Sequence, residues 1–263
     1  MARHEIPRSH PRYWSLYWRE RLVEAMEQGI VVPQGLIAHG RGECFDYLIG
    51  EETREFALEA ERAAVAALLL AERPVISVNG NTAALAAEHV VRLAEETGAA
   101  LEVNLFYRTG ERARRIAELL RRCGAREVLG VEDATERIPG LPHPRGMVSP
   151  RGIYVADVVL VALEDGDRTE ALRRMGKKVI AVDLNPLSRT ARAADITIVD
   201  NVVRALPNMA RMAAEMKNWP RERLQRLLRG YDNGRVLAES LRYISRRLTE
   251  LARALEGGEA GVG

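Results

Sequence analysis

Six short apolar runs, rich in β-branched residues, recur between residues 74 and 199: Pro74-Val-Ile-Ser-Val, Leu101-Glu-Val-Asn-Leu-Phe, Glu127-Val-Leu-Gly-Val, Asp157-Val-Val-Leu-Val-Ala-Leu, Lys178-Val-Ile-Ala-Val and Ile196-Thr-Ile-Val. Their length and composition predict sheet strands. Helical patterns lie between most of them, notably over residues 82–96 and 111–123, each ending near a glycine, Gly98 and Gly124. Strand and helix in alternation predict an α/β fold, a Rossmann-like and mainly parallel sheet flanked by helices. Residues 1–73 differ. Helical patterns at 12–28 and 53–72 flank a glycine-bearing segment, 35–42, which is expected to be a loop. Residues 131–152 carry Pro139, Pro142, Pro144 and Pro150 among several glycines, which predicts an irregular loop reaching over something, a candidate lid or dimer contact. From Asn201 onward the pattern is helical, with 221–229 and 235–253 broken by Gly230-Tyr-Asp-Asn-Gly. A single domain is expected, with an N-terminal helical part (1–73), a sheet core (74–200) and C-terminal helices (201–263).

Composition narrows the class. With 263 residues, 47% hydrophobic and 29% charged, the chain can bury a substantial core. Its apolar stretches, such as 63–71 and 158–163, fall far short of the roughly 20 residues that cross a bilayer. The opening Met-Ala-Arg-His-Glu-Ile-Pro lacks the apolar centre of a secretory signal, so a soluble cytoplasmic protein is expected. Cys44 and Cys123 have no CxxC spacing, which argues against a zinc site or a disulfide framework. The formal charge of +2 does not make nucleic acid the default partner. Only Lys177, Lys178 and Lys217 among the 39 basic residues are lysines, so an anionic ligand must be held mostly by arginine, a permanent bidentate partner, and by backbone amides.

Ligands of open α/β sheets bind beyond the carboxyl ends of the strands, and those ends are polar here. They read Ser77-Val-Asn-Gly80-Asn81-Thr82, Asn104-Leu-Phe-Tyr-Arg108-Thr, Glu164-Asp165-Gly-Asp167-Arg-Thr, Asp183-Leu184-Asn185-Pro-Leu-Ser-Arg189-Thr190 and Asp200-Asn201. Gly80-Asn81-Thr82 leads from a strand into an alanine-rich helix, where free amides and the helix dipole attract phosphate or carboxylate. Taken alone, the segment is better explained as ordinary capping. The 183–190 segment leans to function, because a carboxylate and an arginine close together after a strand suit ATP. Glu164, Asp165 and Asp167 have two readings: they hold Mg²⁺, orient an amine or serve as a base, or they cap the helix beginning near Asp167 with Arg168 neutralising them. Gly35, Gly40 and Gly42 surround His39 and Arg41 and would let the backbone approach a ligand while Arg41 supplies charge. His10, Arg12 and Arg19 could cover the same site, whereas Tyr13, Trp14, Tyr17 and Trp18 read as packing. His89 and His143 read as structural or solvated.

Missing motifs narrow the class further. The chain has no Gly-x-x-x-x-Gly-Lys-Ser/Thr, no Gly-x-Gly-x-x-Gly between a strand and a helix, no His-Glu-x-x-His and no Gly-x-Ser-x-Gly. What remains is a Rossmann-like protein with an arginine-rich anion and nucleotide site. A nucleotide-binding regulatory module without catalysis is the alternative from another class. An NAD-dependent oxidoreductase is disfavoured by the missing fingerprint, and nucleic-acid binding comes last.

Eight strings resemble the archaeal phosphopantothenate synthetases, or 4-phosphopantoate–β-alanine ligases. They are Ser9-His-Pro-Arg-Tyr-Trp-Ser-Leu-Tyr, Gly35-Leu-Ile-Ala-His-Gly-Arg-Gly-Glu, Phe45-Asp-Tyr-Leu-Ile-Gly-Glu, Ser77-Val-Asn-Gly-Asn, Asn104-Leu-Phe-Tyr-Arg-Thr, Leu163-Glu-Asp-Gly-Asp-Arg-Thr-Glu-Ala-Leu, Val182-Asp-Leu-Asn-Pro-Leu-Ser-Arg-Thr-Ala and Ala194-Asp-Ile-Thr-Ile-Val-Asp-Asn. The resemblance runs from about residue 9 to beyond 240, loosest near residue 140. It implies ATP-driven amide formation in coenzyme A biosynthesis, through an acyl-adenylate, by a homodimer. The ATP contacts it implies fall on Arg19, Arg41, Asp183, Leu184, Asn185, Arg189, Thr190, Asn201 and Val202, with Mg²⁺ on the phosphates. Arg41 and Arg189 are then expected to stabilise phosphate charge, and Asp165 to act as base toward the amine. The substrate's own phosphate is expected at Gly80-Asn81-Thr82 or on Arg108.

Overall fold

The computed structural model describes residues 6–257, so the first five residues, on which part of the signal-peptide reading rests, lie outside the described residues. Three helices open the chain: α1 (Tyr13–Glu27), α2 (Pro33–Ile49) and α3 (Glu55–Leu70). Then follow β1 (Pro74–Val78), α4 (Gly80–Thr97), β2 (Ala100–Val103) and α5 (Gly110–Arg122), a small hairpin of β3 (Glu136–Arg137) and β4 (Met147–Val148), then β5 (Val158–Ala162), α6 (Gly166–Arg174), β6 (Lys178–Val182), α7 (Arg189–Ala193) and β7 (Ile196–Ile198). Three helices close it: α8 (Val202–Met216), α9 (Arg221–Gly230) and α10 (Asn233–Glu256).

The main sheet has the order β2-β1-β5-β6-β7, and every pairing in it is parallel. Strands β1 and β5 are buried along their whole length, as apolar runs inside a doubly covered parallel sheet must be. From β1 the chain moves outward to β2, then returns to β5 on the other side of β1. The crevice between the carboxyl ends of β1 and β5 is therefore the topological switch point, where such sheets bind ligands.

Alternate strand residues face opposite layers. Ile76, Val78, Leu160, Ala162, Ile180 and Val182 pack with apolar residues of α3, α4 and α8. Val75, Val159, Val161, Val179 and Ala181 face Ile138, Leu141, Val148 and Ile153 of the proline-rich segment, with Ala171 and Leu172 of α6. That segment is irregular as expected, apart from its small hairpin, and it does the work of a helix in covering one sheet face.

Two sequence expectations are corrected. The 35–42 segment is not a loop but the middle of α2. Pro33 starts the helix at a position where its missing N–H costs nothing, and Gly50 ends it with φ +92°. Gly35 is needed because the Asn81 side chain lies against it and donates from Nδ2 to its carbonyl at 2.8 Å. The 127–131 run is not a strand of its own. Leu129 alone bridges to β2, exchanging backbone bonds with Leu101 and Val103. Gly130 then turns at φ +77°, and the Asp133 carboxylate takes the N–H groups of Gly130 and Val131, so the pairing stops. No helix among the described residues is long and apolar enough to cross a membrane.

Candidate active site

A cleft of about 270 Å³ opens at the switch point, lined by Gly35, Ala38 and Arg41 of α2, Asn79, Gly80 and Asn81 after β1, Phe106, Tyr107 and Arg112 after β2, and Leu163 and Asp165 after β5, with Arg145 from the proline-rich segment. Asn79 caps α4 by accepting the Thr82 N–H, and its own amide donates to the Ala162 carbonyl at 2.7 Å, which ties the ends of β1 and β5 together. The first-turn amides of α4, at Gly80 and Asn81, have no carbonyl within the helix to bond. Leu163 sits in the cleft wall with φ +53°, a conformation a branched side chain takes at a cost of about 1 kcal/mol or more.

Cationic groups converge here. Arg112 donates to the carbonyls of Ile30 and Tyr107, and burial, with the charge of Arg145 nearby, presses its pKa below the usual arginine range. Arg145 is 6% exposed, bonded to Glu164 and, at 2.7 Å, to Asp165, while its Nε has no partner. Glu164 is held from the other side by Arg168, which is fully buried and donates to Ser77 at 3.3 Å. Asp167 pairs with His143, whose ring stacks on Phe106, and it is kept below the usual carboxylate range because that bond and backbone N–H groups outweigh burial. The acidic cluster is thus taken up by Arg145, Arg168 and His143, and no group of three metal-ligating side chains converges among the described residues. It does not fit a resident metal.

A second, larger cavity of about 800 Å³ lies on the other side of α2, lined by Trp14, Ser15, Trp18 and Arg19 of α1, His39, Glu43, Asp46 and Tyr47 of α2, and Asn201 and Arg204 at the start of α8. Tyr13, Trp14, Tyr17 and Trp18 form a ladder of edge and stacked contacts among themselves, as packing predicts, yet Trp14 remains 64% exposed and lines the cavity. Arg19 donates to Glu43 at 2.6 Å. Burial works the other way, but bonds from Ser15, Arg19 and Tyr47 hold Glu43 below the ordinary range. Burial pushes the His39 pKa down. Beneath the cavity, Arg204 bridges Asp46 and Asp200.

The sequence-selected residues divide between these places. Arg41, Asp165, Gly80 and Asn81 meet in the cleft, and Arg19 and Asn201 line the cavity. Leu184, Asn201 and Val202 border a small void between them. Asp183 sits at the end of β6, accepting from Ser188 and from the Asn185 N–H, with burial raising its pKa. Thr82 is fully buried in the cap, and Thr190 donates to the Glu164 carbonyl. Two arginines lie elsewhere. Arg189 is exposed and paired with Glu170, while Arg108 donates to the carbonyls of Gly130 and Val131 at the root of the proline-rich segment. Sequence reasoning missed Arg112 and Arg145. Arg112 lies three residues past the polar end of β2, where inspection of the first helical turn would have found it; Arg145 had no signal beyond its place in a segment expected to cover something.

The comparisons with known proteins agree on one identity. The sequence model of the phosphopantothenate/pantothenate synthetase family matches residues 56–247. A 4-phosphopantoate–β-alanine ligase of Thermococcus kodakarensis is 62% identical over 248 residues, 94% of this chain and 95% of the relative. That of Thermococcus onnurineus is 60% identical over 255 residues, covering 97% and 96%, and that of Methanosarcina mazei 58% over 249 residues, covering 94% and 97%. With a match of this extent, and with an arginine-lined cleft at the switch point of its sheet, the chain belongs to the phosphopantothenate/pantothenate synthetase family.

Proposed function

We propose that this protein is a 4-phosphopantoate–β-alanine ligase that activates its acid substrate with ATP. The observation that carries this reading is the convergence of Arg41, Arg112, Arg145, the first-turn amides of α4 and Asp165 in one cleft. Three guanidinium groups with a single facing carboxylate suit an anion carrying both phosphate and carboxylate. In this reading 4-phosphopantoate occupies the cleft. The adenosine of ATP takes the aromatic cavity, and its phosphates pass α2 toward Arg41 along the side formed by Asp183, Leu184, Asn185, Thr190, Asn201 and Val202. Arg19 holds the nucleotide from α1, and Arg189 joins it by leaving Glu170. Mg²⁺ travels with ATP as part of that substrate.

A carboxylate is a poor electrophile. The phosphopantoate carboxylate oxygen attacks the α-phosphorus of ATP and pyrophosphate leaves, giving an acyl-adenylate. The amine of β-alanine then attacks the acyl carbon, AMP leaves, and the amine proton passes to Asp165. The arginines stabilise charge where it develops on phosphate oxygens, and the tied ends of β1 and β5 hold the reactants in register. Within the same reading the enzyme works in the cytoplasm as a homodimer. Leu241, Leu248 and Leu255, seven residues apart on the exposed side of α10, offer a face for a second copy.

Nucleotide product analysis tests the mechanism. With ATP, Mg²⁺, 4-phosphopantoate and β-alanine, AMP and pyrophosphate should form in step with phosphopantothenate. ADP in their place would rule out the adenylate, and ATP binding without turnover would leave a regulatory nucleotide module.

A further inference from the structure

We infer that Glu102 is a positioning residue of this enzyme: its carboxylate latches the proline-rich segment onto the sheet edge and thereby sets Arg145 in the cleft. Glu102 stands on β2, the edge strand, and is fully buried. It lines no part of the cleft. Its two oxygens accept from two backbone donors of the segment, the Ser149 N–H at 3.0 Å and the Ile153 N–H at 2.6 Å. Gly152 lies directly against the same carboxylate, where a side chain would collide with it.

The latch connects to Arg145 through a short, stiff path. Ser149 follows β4, and β4 follows the single 3₁₀ turn Pro144–Gly146 that contains Arg145. Asn104, two residues beyond Glu102, donates to the Arg145 and Met147 carbonyls at 3.2 and 3.1 Å, which fixes the backbone within that turn and just past it. The other root of the segment is held by Arg108 and Asp133. The apolar residues Ile138, Leu141, Val148 and Ile153 give the segment affinity for the sheet face, but apolar packing is non-directional. Two hydrogen bonds accepted by one side chain, each from a defined backbone N–H, set register and direction as well. A misplaced Arg145 would still be buried, but it would no longer meet an anion in the cleft, and small misplacements of a binding group are costly.

This inference rests on the proposed role of Arg145 toward 4-phosphopantoate, and the test separates the two. Steady-state kinetics would compare wild type, Glu102→Gln, Arg145→Ala and the double variant, each as the full chain, varying 4-phosphopantoate and ATP in turn. Glu102→Gln keeps the shape and one acceptor and turns the other oxygen into a donor facing a donor. The expected result is a rise in KM for 4-phosphopantoate on the order of tenfold, with KM for ATP within about twofold. In the Arg145→Ala background the same substitution should add nothing, because residues acting through one group are not additive. Amide exchange should show faster opening at residues 138–155 in Glu102→Gln and unchanged protection in α4 and α8. A general loss of folding would instead lower kcat through the active fraction and move neither KM selectively, which would overturn the latch. So would a KM for 4-phosphopantoate unchanged in Glu102→Gln but raised in Arg145→Ala, or additive effects in the double variant. If Arg145→Ala itself leaves that KM unchanged, the reading of the cleft fails first and the latch falls with it.

Discussion

The switch-point cleft and the cavity beyond α2 are separated by a single helix, yet they balance charge in opposite ways. In the cleft arginines outnumber the acids facing them: Arg41, Arg112 and Arg145 meet Asp165, and the deeper Glu164 is clamped between Arg145 and Arg168. Under the cavity, carboxylates crowd around one bridging cation. Asp46 and Asp200 share Arg204, and Glu61, one layer deeper on α3, has only an Asn208 amide at 3.4 Å for one oxygen and nothing for the other. Identical residue types serve opposite ends. In the proposed function, surplus arginine serves the anionic acid, and aromatic walls over an acidic floor serve the neutral nucleoside, whose ribose hydroxyls donate to carboxylates.

The comparison breaks most visibly at Glu164. Its side chain is almost wholly buried between two buried guanidinium groups, so Glu164→Ala leaves Arg168 with only Ser77 and Arg145 with only the half-exposed Asp165. Removing one member of a buried ion network costs about 3–5 kcal/mol, and chemical denaturation should show a loss of that size. Asp165→Ala, at an exposed partner of the same arginine, should cost less than about 1 kcal/mol. Equal losses would mean that the cleft is not held by this network.

On the cavity side the corresponding test is pH. Burial, reinforced by the charge of Asp200, pushes the Glu61 carboxyl up to about 8. The folded state therefore holds a proton that the unfolded chain releases near its ordinary value of 4.5. Stability from this group is complete below that value and is lost as pH rises toward 8, by about 1.4 kcal/mol for each pH unit in that window. Glu61→Gln removes the titration and keeps a neutral side chain of the same shape. At pH 9 the variant should be more stable than wild type by about 4–5 kcal/mol, and at pH 4.5 nearly equal to it. A difference that does not change with pH would show that Glu61 is ionised throughout and that Asp200 does not oppose it.

Much of this architecture is visible in the sequence because it depends on local composition. The runs at 74–78, 158–162 and 178–182 are too apolar to be anything but central strands, and the polar residues that follow them are enough to place Asn79, Asp165 and Asp183 at one sheet edge. What the sequence hides depends on partners far along the chain. Gly35, Gly40 and Gly42 read as a loop because each glycine weakens a helix by roughly 1 kcal/mol. The helix forms because Asn81 bonds Gly35 and because Leu36 and Phe45 pack on the core. Leu129 reads as a strand, but Gly130 and Asp133 end the pairing after one residue. Arg145 is invisible as a site residue, since its place in the cleft is set by Glu102 and Asn104, more than 40 residues earlier.

The smallest effect gives the most direct comparison of the two regions. Arg19 is about two-fifths exposed and its bond to Glu43 contributes little to stability, so Arg19→Ala should lower the denaturation midpoint only slightly. If the cavity holds the nucleotide and the cleft the acid, this substitution should raise KM for ATP about tenfold, a loss of about 1.4 kcal/mol of binding, and leave KM for 4-phosphopantoate within about twofold. Arg112→Ala should show the reverse pattern, because Arg112 reaches the cleft from α5 and does not line the cavity. Ligands that share one site would raise both constants together in each variant, and α2 would then be the floor of a single site rather than the wall between two.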